Sequence, residues 1–245
     1  MKIIISKTKA TSGQKAAQKA ADLILEAIEA NSKANIVLAT GASQFEFYTN
    51  LCSHDEVDWS KVTIFHLDEY IGISASHPAS FRYYLTKNFV EKTHPGKVNF
   101  IKGDSNDPIK ECKTINKMIS KTVIDVACVG IGENGHLAFN DPPADFETVQ
   151  PYIIVELDEQ CRTQQVGEGW FESIEEVPKK AISMSIREIL RAINIICTCP
   201  EKRKATAVKN CLSKEAEISP QNPASILKTH ESTFCYLDED SASLL

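Results

Sequence analysis

Segments typical of strands and of helices alternate along the whole chain, and this alternation constrains the fold more than any other feature. Short apolar, β-branched runs predict strands, and longer runs with apolar residues three and four apart predict amphipathic helices. The predicted strands lie at 2–6, 35–39, 62–67, 98–101, 123–129, 152–157, 181–184, 193–197 and 233–237. The predicted helices lie at 12–31, with Ser12 as its N-cap, and at 43–53, 80–90, 108–121, 185–191 and 201–211.

This order of elements indicates an α/β fold with a doubly wound, mainly parallel sheet and helices on both faces, a Rossmann-like, three-layer arrangement. No repeat, low-complexity tract or linker interrupts the 245 residues. We therefore expect a single domain over residues 1–245. Weak periodicity over 158–178 predicts an irregular, mobile segment lying over the site.

Composition excludes several classes of protein. The net charge is −6, and the only tight basic cluster is Lys202, Arg203 and Lys204, so we expect no nucleic-acid partner. No apolar run approaches the roughly 20 residues of a membrane helix. The first ten residues resemble a strand more than a signal peptide, which predicts a cytoplasmic protein. The eight cysteines form no CxxC pair, so we expect neither a disulfide framework nor a metal site.

A turn rich in glycine follows the predicted strand 123–129 and carries the strongest functional signal. Gly130, Gly132 and Gly135 fall within six residues, and glycine lets a ligand approach the backbone. His136, Asn140 and Asp141 come directly behind. A parallel sheet binds its ligands beyond the carboxyl ends of its strands, so this turn is a candidate catalytic loop.

The same turn contains GxGxxG over 130–135, which raises the alternative of a dinucleotide site. That motif has to open a helix, whereas the sequence Asn140-Asp141-Pro142-Pro143 stops a helix within two turns. The turn also lies outside the first strand–helix–strand unit. The dinucleotide interpretation is therefore the weaker one.

Three further segments at strand ends offer groups for a phosphate or for proton transfer. ATGAS, at 39–43, places a glycine turn with two hydroxyls before a helix, which suits a phosphate or is a plain capped turn. In LDEY, at 67–70, alternation along extended chain lets one of Asp68 and Glu69 face a crevice while the other holds the loop, unless both belong to an ordinary acidic turn. The cluster PEKRKATAV, at 200–208, opens another helix, and a lysine there can meet a phosphate or belong to a solvated basic face.

These segments occur together and in this order in one known family. The chain resembles the glucosamine-6-phosphate deaminases (isomerases), within a superfamily that includes the 6-phosphogluconolactonases. The resemblance runs nearly end to end. It rests on TGAS, LDEYIGISASHPASF, GIGENGHLAFNDP, VPKKAISMSI and KRKATAV, which begin at residues 40, 67, 130, 177 and 202. The phrase NGHLAFN favours the deaminases over the lactonases.

The resemblance implies isomerisation of a hexosamine 6-phosphate with loss of ammonia, without a metal or redox cofactor. Asp68 would shuttle the proton, His136 would open the sugar ring, and Asn134 and Asp141 would orient His136. The glycine turn, Gly130, Gly132 and Gly135, would line the substrate loop. The phosphate-binding positions would be Thr40, Gly41, Ala42, Ser43 and Lys204. The partner implied is thus a small phosphorylated amino sugar, with no membrane and no nucleic acid involved.

The chain departs from the family where an arginine usually precedes a Phe-Phe pair and grips the phosphate. Here residues 164–171 contain no arginine, and Arg162 lies upstream. Two alternatives stay open at this point: a hydrolase like the 6-phosphogluconolactonases, and a non-catalytic sugar-phosphate sensor. The choice between glucosamine and galactosamine phosphate is also open, as is assembly into a homo-oligomer.

Overall fold

A computed structural model describes residues 1–245 and contains ten strands and eight α-helices. The strands are β1 (Lys2–Ser6), β2 (Ala34–Leu38), β3 (Val62–His66), β4 (Asp68–Tyr70), β5 (Lys97–Asn99), β6 (Val126–Val129), β7 (Tyr152–Glu156), β8 (Lys180–Met184), β9 (Asn194–Thr198) and β10 (Thr233–Asp238). The helices are α1 (Lys9–Asn31), α2 (Phe45–Leu51), α3 (Phe81–Leu85), α4 (Glu91–Thr93), α5 (Pro108–Ile119), α6 (Glu159–Gly167), α7 (Ile186–Leu190) and α8 (Ala205–Leu212). A π-helical turn, Thr86–Val90, joins α3 to α4.

Seven strands form one sheet in which every pair is parallel, in the order β1-β10-β9-β6-β2-β3-β5. Successive residues of its central strands enter different cores. On β2, Ile36 and Leu38 join the core beneath α1, α2 and α3, whereas Val37 joins the core beneath α5, α7 and α8. Helices therefore cover both faces, and the fold is the three-layer, Rossmann-like α/β arrangement that the sequence predicts.

Three strands lie outside this sheet and form a second, antiparallel one in the order β4-β8-β7. The strands at 152–157 and 181–184 were correctly predicted, and the structure adds that they pair with each other outside the parallel sheet. β4 was not predicted, since its three residues continue from β3 after a single intervening residue. The small sheet matters to function because Asp68 is the first residue of β4 and pairs with Ser183 of β8.

Two further predictions differ from the structure. The first helix begins a turn earlier than expected because Thr8, not Ser12, is the N-cap, with its hydroxyl accepting a hydrogen bond from the Thr11 N–H at 3.2 Å. The predicted irregular segment at 158–178 contains α6, so that prediction is wrong for 159–167. Only Cys161 and Gln165 of α6 are buried, and this helix therefore lacks the apolar stripe that reveals the others.

All eight cysteines are free thiols, and all but Cys52 are buried. No helix combines the length and the apolar character that crossing a membrane requires.

Candidate active site

A cavity opens where the central strands of the parallel sheet end. Turns that follow β2, β3, β6 and β9 supply its floor, and α6 supplies one wall. Its lining includes most of the residues singled out from the sequence: Thr40, Gly41, Ala42, Ser43, Asp68, Gly130, Gly132, His136 and Lys204. Residues that are up to 164 positions apart in the chain thus meet at one site.

One end of the cavity is built to receive an anion. The backbone N–H groups of residues 40–43 donate to no acceptor within the protein. Lys204 is only 3% exposed, yet its ammonium has no hydrogen-bond or ion-pair partner. Burial lowers the pKa of Lys204 below its usual value. The buried ammonium and the four free N–H groups line the same cavity and have no partner in the protein, so they can bind an anionic ligand.

Strained backbone holds Lys204 in place. Glu201 has φ +84°, which is rare for a residue with a side chain, and it directly precedes the turn Lys202–Lys204. The Glu201 N–H donates to both carboxylate oxygens of Asp238, at 3.1 and 3.2 Å. Asp238 ends β10 and is itself buried, so the neighbouring strand fixes the turn that presents the lysine.

Asp68 and Glu69 point in opposite directions, as alternation along extended chain predicts. Asp68 lines the cavity, is 7% exposed and makes no hydrogen bond with the protein. Its burial, and then the nearby Glu69, raise the pKa of Asp68 well above its ordinary value. A carboxylate of this kind is a stronger base than one in water, and it is free to take a proton from a ligand.

Glu69 is fully buried and serves the loop instead. Its oxygens accept hydrogen bonds from the Tyr70 N–H at 3.0 Å, the Ser80 hydroxyl at 2.7 Å and the Phe81 N–H at 3.1 Å. They also accept bonds from the backbone N–H and the Nε of Arg82, at 3.0 and 3.1 Å. This carboxylate therefore ties β4, and Asp68 with it, to the start of α3.

His136 is positioned by close packing and by two polar neighbours. A Cβ on Gly132 would lie only 2.2–2.4 Å from the atoms of the His136 ring, so no larger residue fits there. The His136 Nδ1 lies 3.1 Å from Asp141 Oδ1, at an angle outside that of a well-formed hydrogen bond. Asn134 donates to the same Asp141 oxygen at 2.9 Å and accepts from the His136 N–H at 3.1 Å. This leaves Nε2 without a protein partner in the cavity lining.

The electrostatics of Asp141 fit an ionised partner of the imidazole. Burial alone raises the pKa of Asp141, but its contacts with His136 and Asn134 outweigh burial and hold that pKa below the ordinary value. A carboxylate that stays ionised behind a histidine orients the ring and stabilises its protonated form.

Two residues from the glycine turn have other tasks than the sequence suggested. Gly135 is not part of the cavity lining, and its assignment to the substrate loop stays a prediction. Its φ is +88°, its carbonyl accepts from the Ala224 N–H at 2.9 Å, and a Cβ there would meet the Cys211 sulfur. Asn140 links the turn to β8, because its amide donates to the carbonyl oxygens of Leu137 and Met184, at 2.7 and 2.8 Å.

The sequence predicted that residues 158–178 lie over the site, but not that they contain α6, which forms a wall of the cavity. Gln164, Gln165 and Glu168 line the cavity where the family's arginine would be expected. Arg162 does not replace it, because its guanidinium turns away and donates to the carbonyl oxygens of Ile174 and Val177. The departure from the family pattern was the only signal in the sequence that this wall is unusual.

One group of side chains has the composition of a metal site. His136, Asp141 and Cys161 place possible ligand atoms within 4.8 Å of one another. Burial raises the pKa of the Cys161 thiol strongly, and this favours the neutral thiol over the thiolate that metals bind. The expectation that no metal or redox cofactor takes part stays a prediction.

The assembled groups suit proton transfer on a small anionic ligand. An anion held by residues 40–43 and Lys204 would place the rest of the ligand between the base Asp68 and the imidazole of His136. Both groups open into the same confined cavity, where electrostatic interactions are stronger than in water.

Comparison with known proteins agrees with this chemistry. A family model described as "Glucosamine-6-phosphate isomerases/6-phosphogluconolactonase" matches residues 7–235. The glucosamine-6-phosphate deaminase of Clostridium acetobutylicum is 36% identical over 232 residues, which cover 92% of this chain and 94% of that protein. The protein of the same name from Lactococcus lactis subsp. cremoris is 36% identical over 249 residues, covering 100% of this chain and 99% of the relative.

Solved structures give the same picture. A monomeric glucosamine-6-phosphate deaminase superimposes with a TM-score of 0.90 at 32% identity, and the match covers the whole of both chains. A 6-phosphogluconolactonase from Shewanella baltica superimposes with a TM-score of 0.79 at 18% identity, covering 97% of each chain. The second similarity concerns the fold alone.

Proposed function

The chain belongs to the family of glucosamine-6-phosphate isomerases and 6-phosphogluconolactonases, and from that membership and the contents of its cavity we propose that it is an enzyme that converts glucosamine 6-phosphate into fructose 6-phosphate and ammonia. The observation that carries the proposal is that an unpaired carboxylate, Asp68, and an unpaired ammonium, Lys204, open into one cavity. Full-length relatives named glucosamine-6-phosphate deaminase support the choice of substrate.

Substrate binding in this proposal begins at the phosphate. The free N–H groups of residues 40–43 donate to its oxygens, and Lys204 supplies the compensating charge. Burial makes this charge pair stronger than it would be at the surface. With the phosphate fixed, the other end of the sugar is confined between Asp68 and His136.

The chemistry then uses two proton-transfer groups in turn. His136, held by Asp141 and Asn134, moves the proton that opens the sugar ring through Nε2. Asp68 takes the proton from C2 of the open-chain aldehyde and returns it to C1. The aldehyde oxygen gains a proton and the amine loses one, which leaves a hydroxyl at C1 and an imine at C2. Water adds to that imine and ammonia departs, giving the ketose phosphate. Each positioned acid or base contributes typically about 10²–10⁴ in rate.

The test is incubation of the purified protein with a panel of phosphorylated amino sugars, with ammonia and ketose phosphate measured together. We expect both products in equal amounts from glucosamine 6-phosphate, and hydrolysis of 6-phosphogluconolactone no faster than background. Ammonia release from no member of the panel would contradict the proposal. Binding without turnover would identify a sensor, and lactone hydrolysis would identify a lactonase.

A further inference from the structure

The wall of the cavity formed by α6 carries neutral amides and a carboxylate in place of a cation. Two of its three polar side chains are already satisfied within the protein. Gln164 accepts from the Glu133 N–H at 3.3 Å and donates to Glu168 Oε1 at 2.8 Å. Glu168 accepts in addition from Arg203 at 3.0 Å and from the Trp170 indole at 3.2 Å. These side chains have little capacity left for a ligand.

Gln165 differs from its neighbours because half of its amide is unused. Its Oε1 accepts a hydrogen bond from the Tyr70 hydroxyl at 2.7 Å. Its Nε2 donates to nothing in the protein, although the residue is only 6% exposed and lines the cavity. An amide N–H₂ that lines a cavity and has no acceptor in the protein is free to donate a hydrogen bond to a ligand there.

Tyr70 fixes which way this amide faces. The ring of Tyr70 is fully buried, and its centroid lies 4.9, 5.3 and 5.5 Å from the rings of Phe81, Phe139 and Phe171. Burial raises the pKa of the Tyr70 phenol well above its ordinary value, so the hydroxyl keeps its proton and donates it. Only the orientation with Oε1 of Gln165 toward the phenol gives that proton an acceptor. The N–H₂ group then faces the cavity as a rigid donor.

We propose that Gln165 determines substrate specificity by donating a hydrogen bond from Nε2 to a sugar hydroxyl on the carbons between the reacting end and the phosphate. The identity of the sugar rests on the proposed function, whereas the geometry of the donor does not. A neutral amide matches a neutral hydroxyl, and the phosphate already has Lys204 and residues 40–43. A substrate without that hydroxyl leaves the donor unpaired, and this is how polar sites reject near-identical ligands.

The experiment measures binding, so that it does not depend on turnover. Glucitol 6-phosphate, an unreactive open-chain polyol phosphate, and inorganic phosphate are titrated calorimetrically into wild type, Gln165→Met and Tyr70→Phe. The matched control is Gln160→Met, which changes an exposed glutamine of the same helix. Melting temperatures are recorded for every variant to separate binding from folding.

We expect Gln165→Met to weaken glucitol 6-phosphate binding about tenfold, the effect of one hydrogen bond, and to change phosphate binding less than twofold. Tyr70→Phe should weaken the binding of glucitol 6-phosphate by a smaller factor, because Gln165 keeps its amide but loses the hydrogen bond from the Tyr70 hydroxyl that orients it. Gln160→Met should match wild type for both probes. Unchanged affinity of Gln165→Met for glucitol 6-phosphate, or equal loss for both probes, would overturn the inference.

Failure of the inference and failure of the proposed function give different results. One outcome is that wild type releases no ammonia while Gln165→Met weakens the binding of glucitol 6-phosphate and leaves the binding of phosphate unchanged. In that case the proposed reaction is wrong and the hydroxyl contact stands. If wild type is an active deaminase but binds glucitol 6-phosphate no more tightly than phosphate, the reaction stands and the role of Gln165 is refuted.

Discussion

Replacing Glu69 with glutamine should destabilise the protein and also change its response to pH. Glutamine has nearly the same shape, but one carboxylate oxygen becomes an N–H₂ group. The orientation that keeps the three bonds made by Oε2 turns the new N–H₂ toward the backbone N–H groups of Tyr70 and Phe81. Both of these donors are then left without an acceptor in the buried core.

The size of the effect follows from those two donors. Each buried donor without a partner costs about 1–3 kcal/mol, so the pair costs about 4 kcal/mol. The Arg82 guanidinium also loses its fully buried counterion, although its contact with Asp104 at 2.9 Å remains. For a chain of this length, about 4 kcal/mol corresponds to a fall in Tm of about 8–16 °C.

Scanning calorimetry of Glu69→Gln checks the first part, with Glu91→Gln as control. Glu91 makes only an exposed ion pair with Lys87, so its replacement should change stability by less than about 1 kcal/mol. A decrease in Tm of less than about 2 °C for Glu69→Gln would refute the reasoning.

The catalytic consequence of the same variant is a shift in the pH–rate profile. The negative charge of Glu69 is one of the two causes that raise the pKa of Asp68, after burial. Activity that needs ionised Asp68 is lost as pH falls through that pKa, so removing the charge should move the acid limb to lower pH. An acid limb that does not move, measured on protein that is still folded at the assay temperature, would exclude Asp68 as the titrating base.

Three further predictions concern the cavity. Asp68→Asn should abolish turnover and raise Tm at neutral pH. The pKa of Asp68 is raised in the folded state, so the wild type loses stability as pH rises through that pKa, whereas the asparagine variant does not. Melting curves of both proteins across pH will check this. Lys204→Met should raise KM for the phosphorylated sugar at least tenfold, with a smaller effect on kcat. In wild type the affinity for this sugar should fall as pH rises through the pKa of Lys204, which lies below the pKa of an ordinary lysine. Asp141→Asn should reduce kcat about 10²-fold or more with phosphate affinity unchanged, since the imidazole of His136 loses its ionised partner; an equal loss in binding would assign Asp141 to the phosphate site instead.

The sequence predicts those parts of the molecule that depend on local pattern. Strands of the parallel sheet bury both faces, so they stand out as apolar runs, and functional groups at their ends could be predicted from position alone. Asp68, His136 and Lys204 were predicted from such positions together with the family motifs, and all three line one cavity. The sequence does not separate Gly135 from Gly130 and Gly132, because a positive φ and close packing give the same sequence signal as a ligand-binding turn.

The parts that were missed depend on contacts between distant residues. The role of Gln165 exists only because Tyr70, 95 positions away in the chain, holds one side of its amide. α6 was not predicted as a helix because it packs over a cavity and has too few apolar residues to give a helical pattern in the sequence. Likewise, nothing local distinguishes the strands of the small antiparallel sheet from those of the parallel one.

The pairing of the first strand with the last sets the order in which the molecule is completed during synthesis. β1 lies at an edge of the sheet and pairs only with β10, with Lys2 opposite Phe234. At roughly 5–20 residues per second, a ribosome needs roughly 10–50 s to make the chain that lies between β1 and β10. Throughout that time the apolar stretch Ile3–Ile5 has no strand to pair with. It is therefore open to a chaperone until β10 has been made.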